Sequence, residues 1–484
     1  MNKELRRVSV VALMMFLALF VSTSVIQVFA VDELRADGRN SRTLFESYSA
    51  ERGPILVAGT PIAESVPVDD QYEYLRTYSQ PELYAAITGY FTLNQGNTGI
   101  EGELNDYLTG SANEQFLDQL GALVTGQSPR GAAVELTIDP VVQQAAWDAL
   151  GEQQGSVVAI EPATGRILAL VSKPTYDPNR LAAHDTQAVL QAYEELINNP
   201  DDPLVNRAIS GDLYFPGSVF KVLMTAAALD SATFTPDDTF PNPPRLELPQ
   251  SSSVISNSEG GACGGGETVT IATALQLSCN IPFAQLGLAL GEQTIGEYAT
   301  AFGFGASVDV PMPATPSRYP EGMDDAQLML SSFGQYDVRV TPLQIAMISA
   351  AIANGGNLMQ PTLVDRIIAP DLSIVQDDEP VLFSQPISRE TAATMTQLMV
   401  GGVANGAASN ARIDGVDVAG KTGTAENGGD APYTLWFTGF APAEDPQVAI
   451  AVVVEDGGGF GQTAFGNRVA APIAKQVLEA VLNR

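Results

Sequence analysis

Hydrophobic positions follow three regimes along this chain. From Val8 to Val31 they run nearly unbroken and without a charge. A bilayer core takes about 20 apolar residues, so this run can span one. Lys3, Arg6 and Arg7 precede it, and acidic residues follow from Asp32. That asymmetry places residues 1–7 in the cytoplasm and the rest outside. The run exceeds the ~7–15 residues of a signal core. An uncleaved anchor is therefore expected over 8–31, although "VFA" before Val31 resembles a cleavage site.

From residue 32 to 133 the pattern is mixed. "ERGPILVAGTPIAES" predicts two short strands about a Gly-Thr-Pro turn. "GNTGIEGELNDYLTG" (Gly96 to Gly110) predicts glycine turns feeding a short helix, and "TGQSPRGAA" (Thr125 to Ala133) reads as a linker. This stretch is expected to be a small non-catalytic pedestal.

The third regime begins at Val134. "AAVELTID" leads into a helical "PVVQQAAWDAL", and "GSVVAIEPATGRILALVSKP" predicts a β-hairpin. "TPLQIAMISAAIANGG" is apolar all round, which predicts a buried helix ending at Gly355. "VDVAGKTGTAE", "TLWFTGFAP" and "QVAIAVVVED" predict consecutive antiparallel strands, followed by a helix from about Val469 to Leu482. Strands at both ends with helices between predict one sheet shared by the two ends of this region. The fold class is α+β, with a larger domain over 134–484.

Composition narrows the chemistry. Lysine and arginine total 24 against 56 acidic residues, a net charge of −32, which disfavours binding to a phosphate backbone. One histidine, His184, and two cysteines, Cys263 and Cys279, are too few for an ordinary zinc site. His184 lies in the polar "LAAHDTQ" and is expected to be a solvated surface residue. A serine hydrolase or transferase built here would take its base from another residue type.

"FPGSVFKVLMTAAAL" supplies that alternative. Ser218 is expected in the first turn of an apolar helix, with Lys221 on the same face. Burial and the positive helix end both lower the pKa of the amine. A neutral lysine beside a serine is a general base beside a nucleophile, and free N–H groups at the helix start can hold an oxyanion. Alone, Ser-x-x-Lys is also a capping serine and a snorkelling lysine. Two later segments change that reading: Ser278-Cys279-Asn280 in an apolar helical setting, and Lys421-Thr422-Gly423-Thr424 on a strand. SxxK, SxN and KTG in this order mark penicillin-recognising acyl-serine enzymes.

With these motifs the chain resembles the class B penicillin-binding proteins, nearest to their small actinobacterial A-type members. "RGPI", "GIEGELNDYLTG", "LTIDPVVQQAA", "PTYDPN", "NRAISGDLYFPGSVFK", "TPLQIA" and "WFTGFAP" extend the resemblance over nearly everything after the anchor. One departure is "FGQYDVRVTPLQ", where many relatives carry a second glycine after Gly334-Gln335. The resemblance implies a peptidoglycan D,D-transpeptidase, acylated by β-lactams and needing no cofactor or metal. Ser218 would be the nucleophile and Lys221 its base. Ser278 would relay a proton, and Asn280 would bond Lys221 and the substrate. Lys421 would keep Lys221 neutral and attract the anionic end of the substrate. Thr422 and Thr424 would bind the carboxylate, with Gly423 between them, and the N–H groups of Ser218 and Thr424 would form the oxyanion hole.

An oxidising exterior favours a disulfide between Cys263 and Cys279, with two buried thiols as the alternative. A serine β-lactamase shares the three motifs, but no Glu-x-x-x-Asn lies between Asn280 and Lys421. A β-lactam sensor or a divisome scaffold is the non-catalytic alternative. The sequence before the larger domain has no room for a glycosyltransferase. By resemblance, a SEDS-family polymerase is the expected partner, at the cell membrane.

Overall fold

The computed structural model describes residues 2–26, 50–92, 94–112, 115, 130–257 and 260–484. The apolar N-terminal run is helical from Asn2 to Ser24, and Lys3–Ser24 is long and apolar enough to cross a membrane. The last positions of the expected anchor (27–31) and most of the expected linker (125–129) lie outside the described residues.

The larger domain is organised by a five-stranded antiparallel sheet. Its order is Ala419–Ala425, Thr434–Ala441, Val448–Val454, Gly155–Ile160, Ile167–Lys173, so the two ends of the region meet in one sheet. Antiparallel sheets often leave one face to water and then alternate in polarity. Here both faces are covered, which explains runs such as "VAIAVVV". Val448, Ile450, Val452 and Val454 pack with the helices Pro140–Leu150 and Gly466–Leu482. Ala449, Ala451 and Val453 pack on the opposite side with Pro342–Ala353. The helix Gly466–Leu482 begins three residues before the sequence pattern suggested.

The smaller sheet draws on distant parts of the chain. Its order is Ile374–Asp377, Val364–Ile368, Ala133–Leu136, Ile55–Val57, Thr60–Pro67, Tyr74–Tyr78. The position where the sequence pattern changes, 133/134, falls inside its central parallel pairing of Ile55–Val57 with Ala133–Leu136. Further links cross between the two parts: Arg166 pairs with Asp365, Thr137 Oγ1 donates to Ile167 O (2.8 Å) and Thr362 O (3.1 Å), and Asn179 Nδ2 donates to Tyr78 O (3.0 Å).

"GIEGELNDYLTG" forms two consecutive short helices, Gly99–Glu103 and Asn105–Thr109, where one was expected. They place Glu101, fully buried, between two arginines. Arg52 Nε lies 2.8 Å and Arg76 Nε 2.6 Å from its carboxylate oxygens, and Arg52 Nη1 donates to Asn105 Oδ1 (2.8 Å). Burial pushes the Glu101 carboxyl up, but Arg76 and Arg52 together outweigh it and hold it below the usual carboxylate range.

His184 departs from expectation. Its side chain is only 14% exposed, with Nδ1 2.5 Å from Asp70 Oδ2 and the ring 4.6 Å from that of Tyr72. Both partners belong to the loop between Thr60–Pro67 and Tyr74–Tyr78. A partner so far away in sequence gives the histidine a packed site where its local segment read as solvated.

Candidate active site

Ser218 lies in a 3₁₀ turn, Gly217–Phe220, which passes directly into the helix Lys221–Asp230. The loop before it is pinned to the sheet. Trp436 Nε1 donates to Phe215 O (3.0 Å), and Gly217 N donates to Gly334 O (2.9 Å). Gly217 has φ +53°, and a Cβ there would come within 2.9 Å of Thr424 O. Gly334 sits as tightly, since its Cβ would fall 2.1 Å from Gly217 O. Only glycine permits these approaches, and they bring the Ser218 turn against the edge strand Ala419–Ala425.

Lys221 is fully buried. Its Nζ donates to Ser278 O (2.9 Å) and to Asn280 Oδ1 (2.7 Å). A neutral amine has two N–H bonds and one lone pair. Both N–H bonds have acceptors here, so the lone pair is the valence left to take a proton. Burial drives the Lys221 pKa far below that of an ordinary lysine, and the charge of Lys421 lowers it further.

The segment Ser278-Cys279-Asn280 is a junction between two helices, whereas the sequence suggested a helical interior. Ile271–Leu277 ends at Ser278, whose backbone is left-handed (φ 63°), and Asn280 caps Ile281–Leu290. The bend turns both side chains toward the lysines. Cys279 is joined to Cys263 by a disulfide, Cα–Cα 5.8 Å, which ties the glycine-rich loop to this junction.

Lys421 alternates with Thr422 as period-2 geometry requires. It pairs with Thr438 and so faces the helical side of the sheet, where its Nζ donates to Ser278 Oγ (2.7 Å) and Thr422 O (2.7 Å). Burial brings the Lys421 pKa down to about 7, so at neutral pH its charge is partial rather than fixed. Of the two lysines it is the one that keeps a proton more readily. The Thr422 hydroxyl donates to Ala407 O (2.9 Å), whereas Thr424 Oγ1 accepts from Gly466 N (3.2 Å). Thr424 therefore retains its proton for a ligand, and Thr422 must turn from Ala407 to offer one.

Gln335 joins this wall as well. With its amide oriented to satisfy both partners, it donates to Glu426 O (3.1 Å) and accepts from Glu426 N (3.2 Å). Tyr336, the departure noted in the sequence, holds a left-handed backbone at φ 60°. That conformation costs a residue with a Cβ about 1–2 kcal/mol, which accounts for a glycine being the easier occupant. Two buried asparagines behind the junction, Asn242 and Asn257, were not legible beforehand. Both sit in turn-like sequence, and nothing local marks them.

The description "Penicillin binding protein transpeptidase domain" matches residues 155–479, and "Penicillin binding protein A dimerisation domain" matches residues 52–134. The chain thus belongs to the penicillin-binding proteins that carry a transpeptidase domain. It is 44% identical to the peptidoglycan D,D-transpeptidase PbpA of Mycolicibacterium smegmatis, over 100% of this chain and 99% of that one. Among solved structures it resembles penicillin-binding protein A of Mycobacterium tuberculosis in its ceftriaxone acyl-enzyme complex. The TM-score is 0.87 at 42% identity, covering 90% of this chain and 100% of that one. The same protein as its penicillin G acyl-enzyme gives a TM-score of 0.84 at 41% identity, with the same coverage.

Proposed function

We propose that this protein is a serine D,D-transpeptidase that cross-links peptidoglycan stem peptides through an acyl-serine intermediate and is acylated by β-lactams. The observation that carries this reading is the buried Lys221 amine, with both N–H bonds committed to Ser278 O and Asn280 Oδ1. Ser218 Oγ attacks the carbonyl carbon between the last two D-alanines while its proton passes to Lys221 Nζ. The tetrahedral oxyanion is held by the N–H groups of Ser218 and Thr424. The C–N bond then breaks, Ser278 hands a proton to the departing nitrogen, and D-alanine leaves. An amine from a neighbouring stem attacks the ester, its proton returns through the same groups, and Ser218 is released with the cross-link formed. Asn280 orients Lys221 and the substrate amide. Lys421, Thr422 and Thr424 receive the terminal carboxylate, with Gly423 leaving room for the substrate backbone.

Residues 1–7 lie in the cytoplasm in this reading, a single span over 8–31 anchors the chain in the cell membrane, and the rest is extracytoplasmic. Residues 32–133 form a pedestal and 134–484 the transpeptidase domain. A SEDS-family glycosyltransferase supplies the glycan strands. Incubation with a fluorescent penicillin followed by peptide mapping tests the activity. One adduct per chain, on Ser218, is expected. Labelling at another residue, or rapid turnover of a chromogenic β-lactam, would overturn the assignment.

Lys421 gives a pH prediction. Its charge lowers the Lys221 pKa, and acylation needs neutral Lys221. In Lys421→Gln the Lys221 pKa rises, so the acidic limb of acylation rate against pH is expected to move to higher pH. A limb that stays in place would show that the two amines are uncoupled.

A further inference from the structure

Asn280 is itself held from behind. Its side-chain Nδ2 donates to Ser256 O (3.0 Å), which leaves Oδ1 as the atom presented to Lys221. Its backbone N–H donates to Asn257 Oδ1 (2.9 Å), and the N–H of Ile281 donates to the same oxygen (3.2 Å). Asn257 thus satisfies two free donors at the start of the helix Ile281–Leu290, from another part of the chain. Asn280 has no side-chain bond to its own helix start, because its amide is spent on Lys221 and Ser256.

Asn257 is buried and anchored in turn. Its Nδ2 donates to Gly261 O (3.2 Å) and reaches Asn242 Oδ1 at 3.5 Å. Asn242 Oδ1 accepts from Cys263 N (3.0 Å), and its Nδ2 donates to Cys263 O (2.6 Å) and Gly266 O (3.0 Å). Three asparagines therefore run in series from the loop that bears Cys263 to the Lys221 amine. The disulfide closes the same circuit through Cys279.

We propose that Asn257 is a positioning residue for the reaction: by accepting the N–H groups of Asn280 and Ile281 it fixes the height and rotation at which Asn280 Oδ1 meets Lys221. Asn257 touches no reacting atom. Its effect passes through Asn280 to the direction of the Lys221 lone pair. This inference rests on the assignment of Ser218 and Lys221 as nucleophile and base. Displacements of about 1 Å at such a contact can cost as much as 10²-fold in rate.

The test measures acylation of the full chain by a fluorescent penicillin, resolved into the non-covalent constant K and the acylation rate constant k2. Each preparation is normalised by its titratable active sites. In Asn257→Ala, k2 is expected to fall about 10–100-fold with K unchanged. In Asn257→Asp, k2 is expected to recover to within about threefold of the parent, because a carboxylate accepts the same two N–H groups and is favoured at a helix start. Loss of titratable sites with k2 unchanged in the remaining fraction would reduce Asn257 to a folding role and overturn the proposal. So would an aspartate variant as slow as the alanine one. If Asn257→Ala gives no titratable protein, Asn257→Ser, whose hydroxyl is a shorter acceptor, takes its place under the same criteria. A parent chain that is not labelled at Ser218 would instead refute the underlying function, so the two failures are distinguishable.

Discussion

Lys221→Ala is expected to be acylated by penicillin about 10²–10⁴ times more slowly than the parent chain, the range a positioned base contributes. The non-covalent constant should stay within about twofold of the parent, because binding depends on the strand Ala419–Ala425 rather than on the amine. The reason lies in the environment of Lys221. An ordinary lysine is almost wholly protonated at neutral pH and cannot serve as a base. Burial, and secondarily Lys421, push this amine down into the range where it can. Lys221→Arg should be as slow as the alanine variant, since a guanidinium keeps its charge. Stopped-flow acylation of the three proteins decides the point. An alanine variant within tenfold of the parent would remove Lys221 from the chemistry, and Ser218→Ala, forming no adduct, marks the floor.

The second large effect is on stability and falls far from the groove. Glu101→Gln is expected to destabilise the protein by about 3–5 kcal/mol, the cost of breaking a buried ion pair at one partner. Arg52 and Arg76 are both buried and share this one carboxylate. With a neutral amide between them, two guanidinium charges face each other without compensation. The midpoint of denaturant unfolding should fall clearly while penicillin acylation of the folded fraction is retained. An unchanged midpoint would show that water or a shifted partner compensates the arginines.

The residues that could be read from the sequence are those whose chemistry is local. Ser218 and Lys221 share one short segment, Lys421 to Thr424 another, and period-2 alternation gave the facing of Lys421 toward Ser278. The burial of Lys221 followed from the apolar residues around it. What escaped were features fixed by distant contacts. The left-handed bend at Ser278 is unusual for serine and is held by the disulfide and by Asn257. The pairing of His184 with Asp70 spans two parts of the chain. The strands Val364–Ile368 and Ile374–Asp377 join a sheet begun more than three hundred positions earlier, and no periodicity in "VDRII" announces its neighbours. Thr422 matched its motif, but its bond to Ala407 is set by a loop beyond the motif.

The sheet that gathers Ile55–Val57, Ala133–Leu136 and Val364–Ile368 bears on how this molecule can be taken apart. A polypeptide cut after residue 134 would carry Ala133–Leu136 with one flank stripped of its neighbour Val364–Ile368. The complementary piece would keep a two-stranded ribbon, Val364–Ile368 with Ile374–Asp377, with nothing to lie against on one side. Raw ladders of that kind recruit foreign strands and aggregate. Protease nicking or gene truncation at this seam should therefore yield sticky, poorly soluble halves, and the two parts should melt together rather than in succession.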